Sequence, residues 1–282
     1  MVESAERLRR NTTQVLVTAF NGGVPSQRPD RLAAEEPMEI RVSGPGQEAT
    51  PVSVTMRTPG GDFELAVGFL FTEGLISGRE EIEQVSYCED LSDEEQLYNV
   101  VTVRLTRPWD SEVLKRNFYS TSSCGVCGKA SLDEVEVHCQ PVAPGPSVPA
   151  SHIAVMPERL ASGQRVFDQT GGLHAAGLFT PEGELVSLRE DVGRHNAVDK
   201  LVGEALLAGG LPLSERVLQV SGRVSFEIVQ KAAVAGIPII AAISAPSGLA
   251  VEAGERFGMT IIGFSRDERF NIYSHPERIT AG

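Results

Sequence analysis

The first half of the chain carries the pattern of a small sheet with one helix. Between the predicted strands, apolar residues recur at helical spacing over residues 62–75, and Asp62 stands where it would cap that helix. The four predicted strands alternate apolar with polar residues and lie at 38–42, 51–57, 83–87 and 100–105. Together these elements predict an N-terminal α+β domain over residues 36–118.

The second half alternates strands with helices. The predicted strands lie at 175–179, 185–188, 217–220, 238–243, 260–264 and 270–273. The predicted helices lie at 157–167, with Pro157 in the first turn, and at 196–207, 226–235 and 249–257. This alternation predicts a largely parallel sheet with helices on its faces, in a C-terminal α/β domain over residues 151–282.

Two segments lack a sustained period. Residues 1–35 mix polar, glycine and proline residues, and we expect a poorly ordered arm there or a loosely attached strand. Residues 119–150 contain a cysteine-bearing loop and then a proline-rich connector. We expect this connector to separate the two domains.

Composition narrows the class of protein. The 282 residues carry a formal net charge of −13, so the field of the whole chain repels nucleic acid and anionic membranes. The longest apolar run, at 237–245, is too short to cross a bilayer, and no export signal is evident. Four cysteines are too few for a disulfide scaffold. We expect a cytoplasmic protein with reduced thiols and no nucleic-acid or membrane partner.

Cys124 and Cys127 stand in a loop of small residues, with Lys129 just downstream. A Cys-x-x-Cys pair near a cation has a lowered thiol pKa, so these thiols could attack, carry or exchange sulfur. The same spacing suits half of a zinc site or a dithiol switch. The sequence leaves these three uses open.

Three predicted strands end in similar polar loops, which in an open α/β sheet share one edge. The loops contain Ser221, Gly222 and Arg223, then Ser247, then the segment from Phe264 through Arg266 to Arg269. Helix N-termini and arginines at such an edge favour an anion or nucleotide. Alternatively, Ser221 and Ser247 are ordinary helix caps and Gly222 is an ordinary turn residue.

Arg194 and His195, beside Gly193, supply more polar groups than the cap of the next helix requires. We treat His195 as a candidate cofactor contact or acid/base, and His174 in the same way. No Walker loop, Gly-x-Gly-x-x-Gly or Gly-x-Ser-x-Gly motif occurs, which argues against ATP-driven, NAD-driven and serine-hydrolase chemistry.

Several long motifs, in order, resemble the FdhD/NarQ family of formate dehydrogenase accessory sulfurtransferases. They are LAVGFLFTEGLI at 65–76, SSCGVCG at 122–128, TGGLHAA at 170–176, EDVGRHNAVDK at 190–200 and the segment 263–279. The resemblance covers the chain from about residue 35 onward. It implies a homodimer whose C-terminal domain has a cytidine-deaminase-like, three-layer α/β fold.

The resemblance also implies a function. A cytosolic sulfur carrier would accept sulfur from a cysteine desulfurase and pass it to the molybdenum or tungsten bis(molybdopterin guanine dinucleotide) cofactor of formate dehydrogenase. Carried over by position, Cys124 would hold the persulfide and Cys127 would assist, although the sequence does not rank the two. The cofactor contacts implied in the same way are Phe264, Ser265, Arg266, Asp267, Glu268 and Arg269.

Two other classes of function remain open. A zinc-binding, deaminase-like protein would use Cys124 and Cys127, with Cys139 and His138 as further ligands, but the His-x-Glu and Pro-Cys-x-x-Cys pattern of zinc deaminases is absent. A non-catalytic chaperone would bind the pterin cofactor and deliver it without using the thiols.

Overall fold

The computed structural model describes residues 11–88, 99–110 and 141–281. Its first half contains a hairpin, a four-stranded sheet in the order β4-β3-β6-β5 and one helix on that sheet. These elements are β1 (Thr12–Asn21), β2 (Val24–Ala33), β3 (Glu36–Ser43), β4 (Thr50–Arg57), α1 (Asp62–Thr72), β5 (Ile82–Tyr87) and β6 (Val100–Leu105). The predicted strands and helix of this half are all present. Asp62 is the first residue of α1, and its carboxylate accepts hydrogen bonds from Arg57 rather than capping the helix.

The hairpin corrects one expectation. Residues 12–33 are not a poorly ordered arm but two paired strands of ten residues each, joined by Gly22 and Gly23. Both glycines have positive φ, the conformation that a tight hairpin turn requires. Two prolines in β2 interrupt the alternation of apolar and polar residues. The sequence signal for this hairpin is therefore its Gly-Gly turn and not a hydrophobic period.

The second half contains a six-stranded sheet in the order β13-β12-β11-β10-β8-β9. The strands of this half are β7 (Val148–Pro149), β8 (His174–Phe179), β9 (Leu185–Asp191), β10 (Val217–Val220), β11 (Ile239–Ala242), β12 (Thr260–Arg266), β13 (Arg269–Ser274) and β14 (Ile279–Thr280). The helices are α2 (Ala150–Gly163), α3 (Phe167–Thr170), α4 (Arg194–Leu207), α5 (Phe226–Val234) and α6 (Gly248–Phe257).

Two predictions for this half are wrong. The sheet is mixed, and only the pairs β10-β11 and β11-β12 are parallel. Short turns make the pairs β8-β9 and β12-β13 antiparallel, and β8 also runs antiparallel to β10. Helix α2 begins at Ala150, so Pro157 lies inside it instead of in the first turn. The earlier start allows Ile153 and Met156 to pack against the sheet.

The six-stranded sheet is the middle layer of three. Helix α2 covers one face, where Met156 and Leu160 pack with Ala175 and Phe179. Helices α4, α5 and α6 cover the other face, where Ala176 and Leu178 belong to the larger core. Alternate residues of one strand thus enter different cores, as the pleat requires. This arrangement confirms the predicted α/β class with three layers.

Helices α1 and α4 join the two sheets by direct backbone contact. A Cβ atom added to Gly68 would lie 1.8 Å from the carbonyl oxygen of Asp199, and one added to Gly203 would lie 1.9 Å from that of Glu64. No residue other than glycine fits such a crossing without movement of the helices. The larger hydrophobic core is continuous across this contact.

Buried polar groups reinforce the contact between α1 and α4. Lys231 of α5 lies 3.0 Å from the carboxylate of Asp199 and 2.8 Å from that of Glu73, and it donates to the hydroxyl of Thr72. The Thr72 hydroxyl in turn donates to Asp199 at 2.7 Å. Burial raises the pKa of Asp199 to about 6, and the opposing charge of Lys231 limits this rise.

A second buried pair lies between the sheets on the other side of the contact. Lys200 of α4 is 2.7 Å from Asp191, and both side chains are almost fully buried. Lys200 also donates to the carbonyl of Thr58, and Asp191 accepts from the Thr58 amide.

None of the helices in the described ranges is long and apolar enough to span a membrane.

Candidate functional site

One edge of the six-stranded sheet collects the polar loops identified in the sequence. We call it the strand-end edge: the loops that follow β9, β10, β11 and β12, together with the first residues of β8 and β13. Strands β8 and β13 run antiparallel to their neighbours, so they begin where the others end. Helices α4, α5 and α6 start from the same edge.

Backbone contacts hold three of these loops together. Val224 pairs with Pro246 in an isolated bridge, and the amide of Ser247 donates to the Val224 carbonyl at 2.9 Å. The amide of Phe264 donates to the carbonyl of Ser244 at 3.2 Å. The loops after β10 and β11 and the end of β12 are therefore contiguous.

The two serines predicted at the edge have different local roles. Ser247 caps α6, because its hydroxyl accepts from the amide of Ala250. Ser221 is not a helix cap: its hydroxyl accepts from the Ala175 amide at 2.9 Å and thereby fixes β10 to β8. Both hydroxyls are thus engaged as acceptors within the protein.

Gly222 lies against two of the other candidate residues. A Cβ atom at this position would be 3.3 Å from Nδ1 of His174 and 3.9 Å from the Cβ of Arg194. Burial and then Arg194 lower the pKa of His174, while Asp191 opposes them. His174 is therefore neutral at physiological pH, and Arg194 carries the positive charge of this group.

His195 forms a small polar cluster with the start of α5. Its Nε2 lies 3.2 Å from the hydroxyl of Ser225 and 3.9 Å from the carboxylate of Glu227. Burial and then Arg194 lower the pKa of His195 to about 4, although Glu227 opposes the shift. The ring is consequently a neutral hydrogen-bonding group at pH 7.

The end of β12 is a bulge next to a tight turn. Phe264 and Ser265 lie opposite the single residue Phe270, and Phe264 has a φ of 55°. A positive φ at a bulky residue is strained and is typical of ligand-contacting segments. The Phe264 ring is 43% exposed, whereas Ser265 is fully buried and its hydroxyl has no partner in the ranges that the structure describes.

Asp267 and Glu268 form the turn between β12 and β13. Both have positive φ, and Arg266 and Arg269 are paired in register on either side of them. Two consecutive left-handed residues define the turn type that suits the twist of a two-residue hairpin. The turn places two arginine side chains opposite each other, and all four residues are exposed.

Three exposed arginines of this edge have no partner among the described residues. Within residues 11–88, 99–110 and 141–281, the guanidinium groups of Arg223, Arg266 and Arg269 make no hydrogen bond or ion pair. The Nε of Arg194 is buried and also without a partner there. Arginine forks with free donors are suited to phosphate or carboxylate oxygens.

The predicted thiol site cannot be placed. Cys124 and Cys127 lie outside the described residues, as do Cys139 and His138, so their predicted roles in sulfur transfer or zinc binding stay predictions. In the ranges that are described, no group of three or more histidine, cysteine or acidic residues could hold a metal ion.

Sequence reasoning missed two members of the edge. Ser225 and Glu227, which contact His195, carry no distinguishing signal in the sequence. A serine and a glutamate at the start of the predicted helix 226–235 are also an ordinary helix N-terminus. His174 was noted in the sequence, but its proximity to Gly222 depends on the antiparallel pairing of β8 with β10, which the predicted parallel sheet did not contain.

Fold and site together define a three-layer α/β protein with an arginine-bearing edge at the ends of its strands. Over residues 33–280 the chain matches the model of the FdhD/NarQ family. It is 52% identical to "Sulfur carrier protein FdhD" of Streptomyces avermitilis over 281 residues, which cover 96% of each chain. It is 44% identical to the protein of the same name from Sulfolobus acidocaldarius, with coverage of 94% and 98%.

A solved structure has the same fold. The crystal structure of a formate dehydrogenase accessory protein from Desulfotalea psychrophila superposes with a TM-score of 0.72 at 26% identity, over 96% of this chain and all of the other. The chain belongs to the FdhD/NarQ family, and the resemblance found in its motifs is confirmed.

Proposed function

We propose that this protein is a sulfur carrier that serves formate dehydrogenase. It takes sulfur from a cysteine desulfurase as a cysteine persulfide and transfers it to the bis(molybdopterin guanine dinucleotide) cofactor of molybdenum or tungsten. The proposal also includes cytoplasmic location and a homodimer. It draws on the names of relatives up to 52% identical in sequence and on the Cys-x-x-Cys motif.

The unpaired arginines of the strand-end edge support the part of the proposal that concerns cofactor binding. A guanine dinucleotide brings a pyrophosphate, which on an acidic protein requires a local group of cationic hydrogen-bond donors. Arg266 and Arg269, facing each other across the turn, would bind phosphate oxygens, while the exposed ring of Phe264 offers a surface to the base.

The two thiols of the Cys-x-x-Cys motif would perform the sulfur transfer. The thiolate of Cys124 would attack the outer sulfur of the desulfurase persulfide, so that a new S–S bond forms on Cys124 and the desulfurase thiolate leaves. Cys127 would then take the outer sulfur by the same exchange, without net oxidation. Alternatively, it would attack the inner sulfur, which releases hydrosulfide and leaves a Cys124–Cys127 disulfide for a dithiol to reduce. Either cysteine could be the first acceptor.

Sulfur loading is directly measurable. After incubation with a cysteine desulfurase and cysteine, intact mass spectrometry under non-denaturing conditions should show one added sulfur that reductant removes. Peptide mapping should place it on Cys124 or Cys127, and the double variant Cys124→Ala, Cys127→Ala should gain none and should not activate formate dehydrogenase. Cys88→Ala is the matched control and should load normally.

The alternatives predict different outcomes of the same experiment. Full activation of formate dehydrogenase by the double variant would show that the protein is a passive cofactor chaperone. A stoichiometric, tightly bound zinc ion without added sulfur would favour the zinc-binding class.

Nucleotide binding tests the strand-end edge independently of the thiols. Guanosine diphosphate carries the pyrophosphate and base of the client cofactor, and its affinity can be measured by calorimetry. Because a charged hydrogen bond contributes about 1.5–3 kcal/mol, Arg266→Gln and Arg269→Gln should each weaken binding about tenfold or more. The control Arg104→Gln removes an exposed arginine from the other sheet and should leave the affinity unchanged. Equal affinity in all three variants would place the nucleotide elsewhere.

A further inference from the structure

The two outer edges of the N-terminal hairpin differ in their hydrogen-bonding capacity. In an antiparallel pair, residues whose amides bond to the partner strand alternate with residues whose amides point outward. The amide of Ala34 donates to the carbonyl of Asn11, just beyond the ends of the two strands. Because Thr12 is paired with Ala33, this bond identifies which residues of β1 bond to β2 and which have amides that point outward. The odd-numbered residues of β1 bond to β2, and the even-numbered residues point outward.

Prolines block the outer edge of β2. Its outward positions are the partners of the even-numbered residues of β1, and they include Pro25, opposite Phe20, and Pro29, opposite Leu16. Proline has no amide hydrogen, so another strand cannot bond along this edge. Such residues are a common means of protecting an edge strand from association.

The outer edge of β1 has no such protection. The outward amides of Gln14, Leu16, Thr18 and Phe20 are intact, and among the described residues no other strand pairs with β1. The strand contains no charged residue, although 22% of the chain is charged. Leu16 is 68% exposed and Phe20 is 71% exposed. A two-stranded ribbon with this composition is marginally stable alone and gains from a third strand.

Among the described residues, the hairpin is attached to the body through β2. The contacts between hairpin and body involve the base of β2, where Arg31 donates to Gln169 at 2.7 Å and Ala33 lies beside Gly172. Both contacts come from the strand that carries the prolines, and within the described ranges no strand other than β2 pairs with β1.

We propose that β1 pairs antiparallel with β1 of a second copy of this chain, so that two hairpins form a four-stranded sheet about a two-fold axis. With Thr18 on the axis, Leu16 lies opposite the partner subunit's Phe20, and both exposed apolar side chains become cross-strand pairs. Self-pairing brings no like charges together because the strand has none. The surface gives the proposed homodimer an interface and does not depend on the sulfur chemistry.

Two proline variants at facing positions test this interface. Thr18→Pro removes an outward amide at the axis without removing a bond inside the hairpin, and Gln27→Pro does the same on the opposite edge. In sedimentation velocity, the wild type and Gln27→Pro should be dimers at micromolar concentration. Thr18→Pro should raise the dissociation constant at least about a hundredfold.

Either of two results would overturn the proposal: a monomeric wild type, or a Thr18→Pro variant that dimerises as tightly as Gln27→Pro. In the second case the homodimer would use another surface. Loading of sulfur on Cys124 or Cys127 is measured separately in each variant, so failure of the interface and failure of the sulfur-carrier proposal are distinguishable.

Hydrogen exchange of the wild type provides a readout that requires no variant to fold. In the dimer, the outward amides of Leu16, Thr18 and Phe20 should exchange at least about tenfold more slowly than after dilution to the monomer. The amides of Val15, Val17 and Ala19, which bond within the hairpin, should change much less. Protection that needs a desulfurase instead of a second copy would identify a different occupant and overturn the assignment.

Discussion

Replacement of Gly68 by alanine is expected to lower the free energy of unfolding by about 3 kcal/mol, because overpacking at a rigid contact forces backbone displacement. The added Cβ would meet the carbonyl oxygen of Asp199 at 1.8 Å, and backbone cannot move aside as a side chain can. Helices α1 and α4 would have to separate, and the core on both sides of the contact would loosen.

Urea unfolding followed by circular dichroism measures this effect. The matched control is Gly248→Ala, at the start of α6, where an added Cβ meets nothing within 4 Å. Alanine has the higher helix propensity, so the control should be as stable as the wild type or slightly more stable. A Gly68→Ala variant with the stability of the control would show that the two helices do not cross as closely as described.

Replacement of Lys231 by methionine is expected to cost about 3–5 kcal/mol, the usual effect of removing one partner of a buried ion pair. Lys231 and Asp199 are both almost completely buried, at 3.0 Å from each other. Without the ammonium group, the Asp199 carboxylate would keep the hydroxyl of Thr72 as its donor but lose its counter-charge. Methionine has a similar length, so the loss would reflect charge more than volume.

A double variant separates these contributions. Asp199→Asn in the Lys231→Met background removes the stranded charge and should recover a large part of the lost stability in the same urea titration. Lys231→Met with unchanged stability, or a double variant less stable than the single one, would contradict the role assigned to this pair.

Local patterns sufficed to predict most of the secondary structure and the position of the strand-end edge. Strands such as β3, with Met38, Ile40 and Val42 all buried, have an alternation that burial on one face directly produces. The loops after β10, β11 and β12 meet because the connected parallel strands end at one edge. These features depend on residues near one another in sequence.

Features that depend on pairing between distant segments were not predictable in this way. Nothing in the sequence around Gly68 indicates that it faces Asp199. A glycine inside a helix normally only lowers the stability of that helix. The bulge at Phe264 and Ser265 depends on the register between β12 and β13, which the hydrophobic period does not specify. The proximity of His174 to Arg194 likewise depends on the antiparallel pairing of β8 with β10, which the predicted sheet does not contain.

Helix α4 belongs to both halves of the chain. Its first residues, Arg194 and His195, lie at the strand-end edge, and one turn before its end Gly203 touches the backbone of α1. The first half of the chain therefore helps to position the helix whose first residues lie at the strand-end edge. Recombination between relatives should tolerate exchange of the hairpin or of surface loops. It should tolerate exchange of one half alone only where the new half keeps glycine at the crossing and the groups that join the halves there, Lys231 with Glu73 and Thr72, and Lys200 with Thr58.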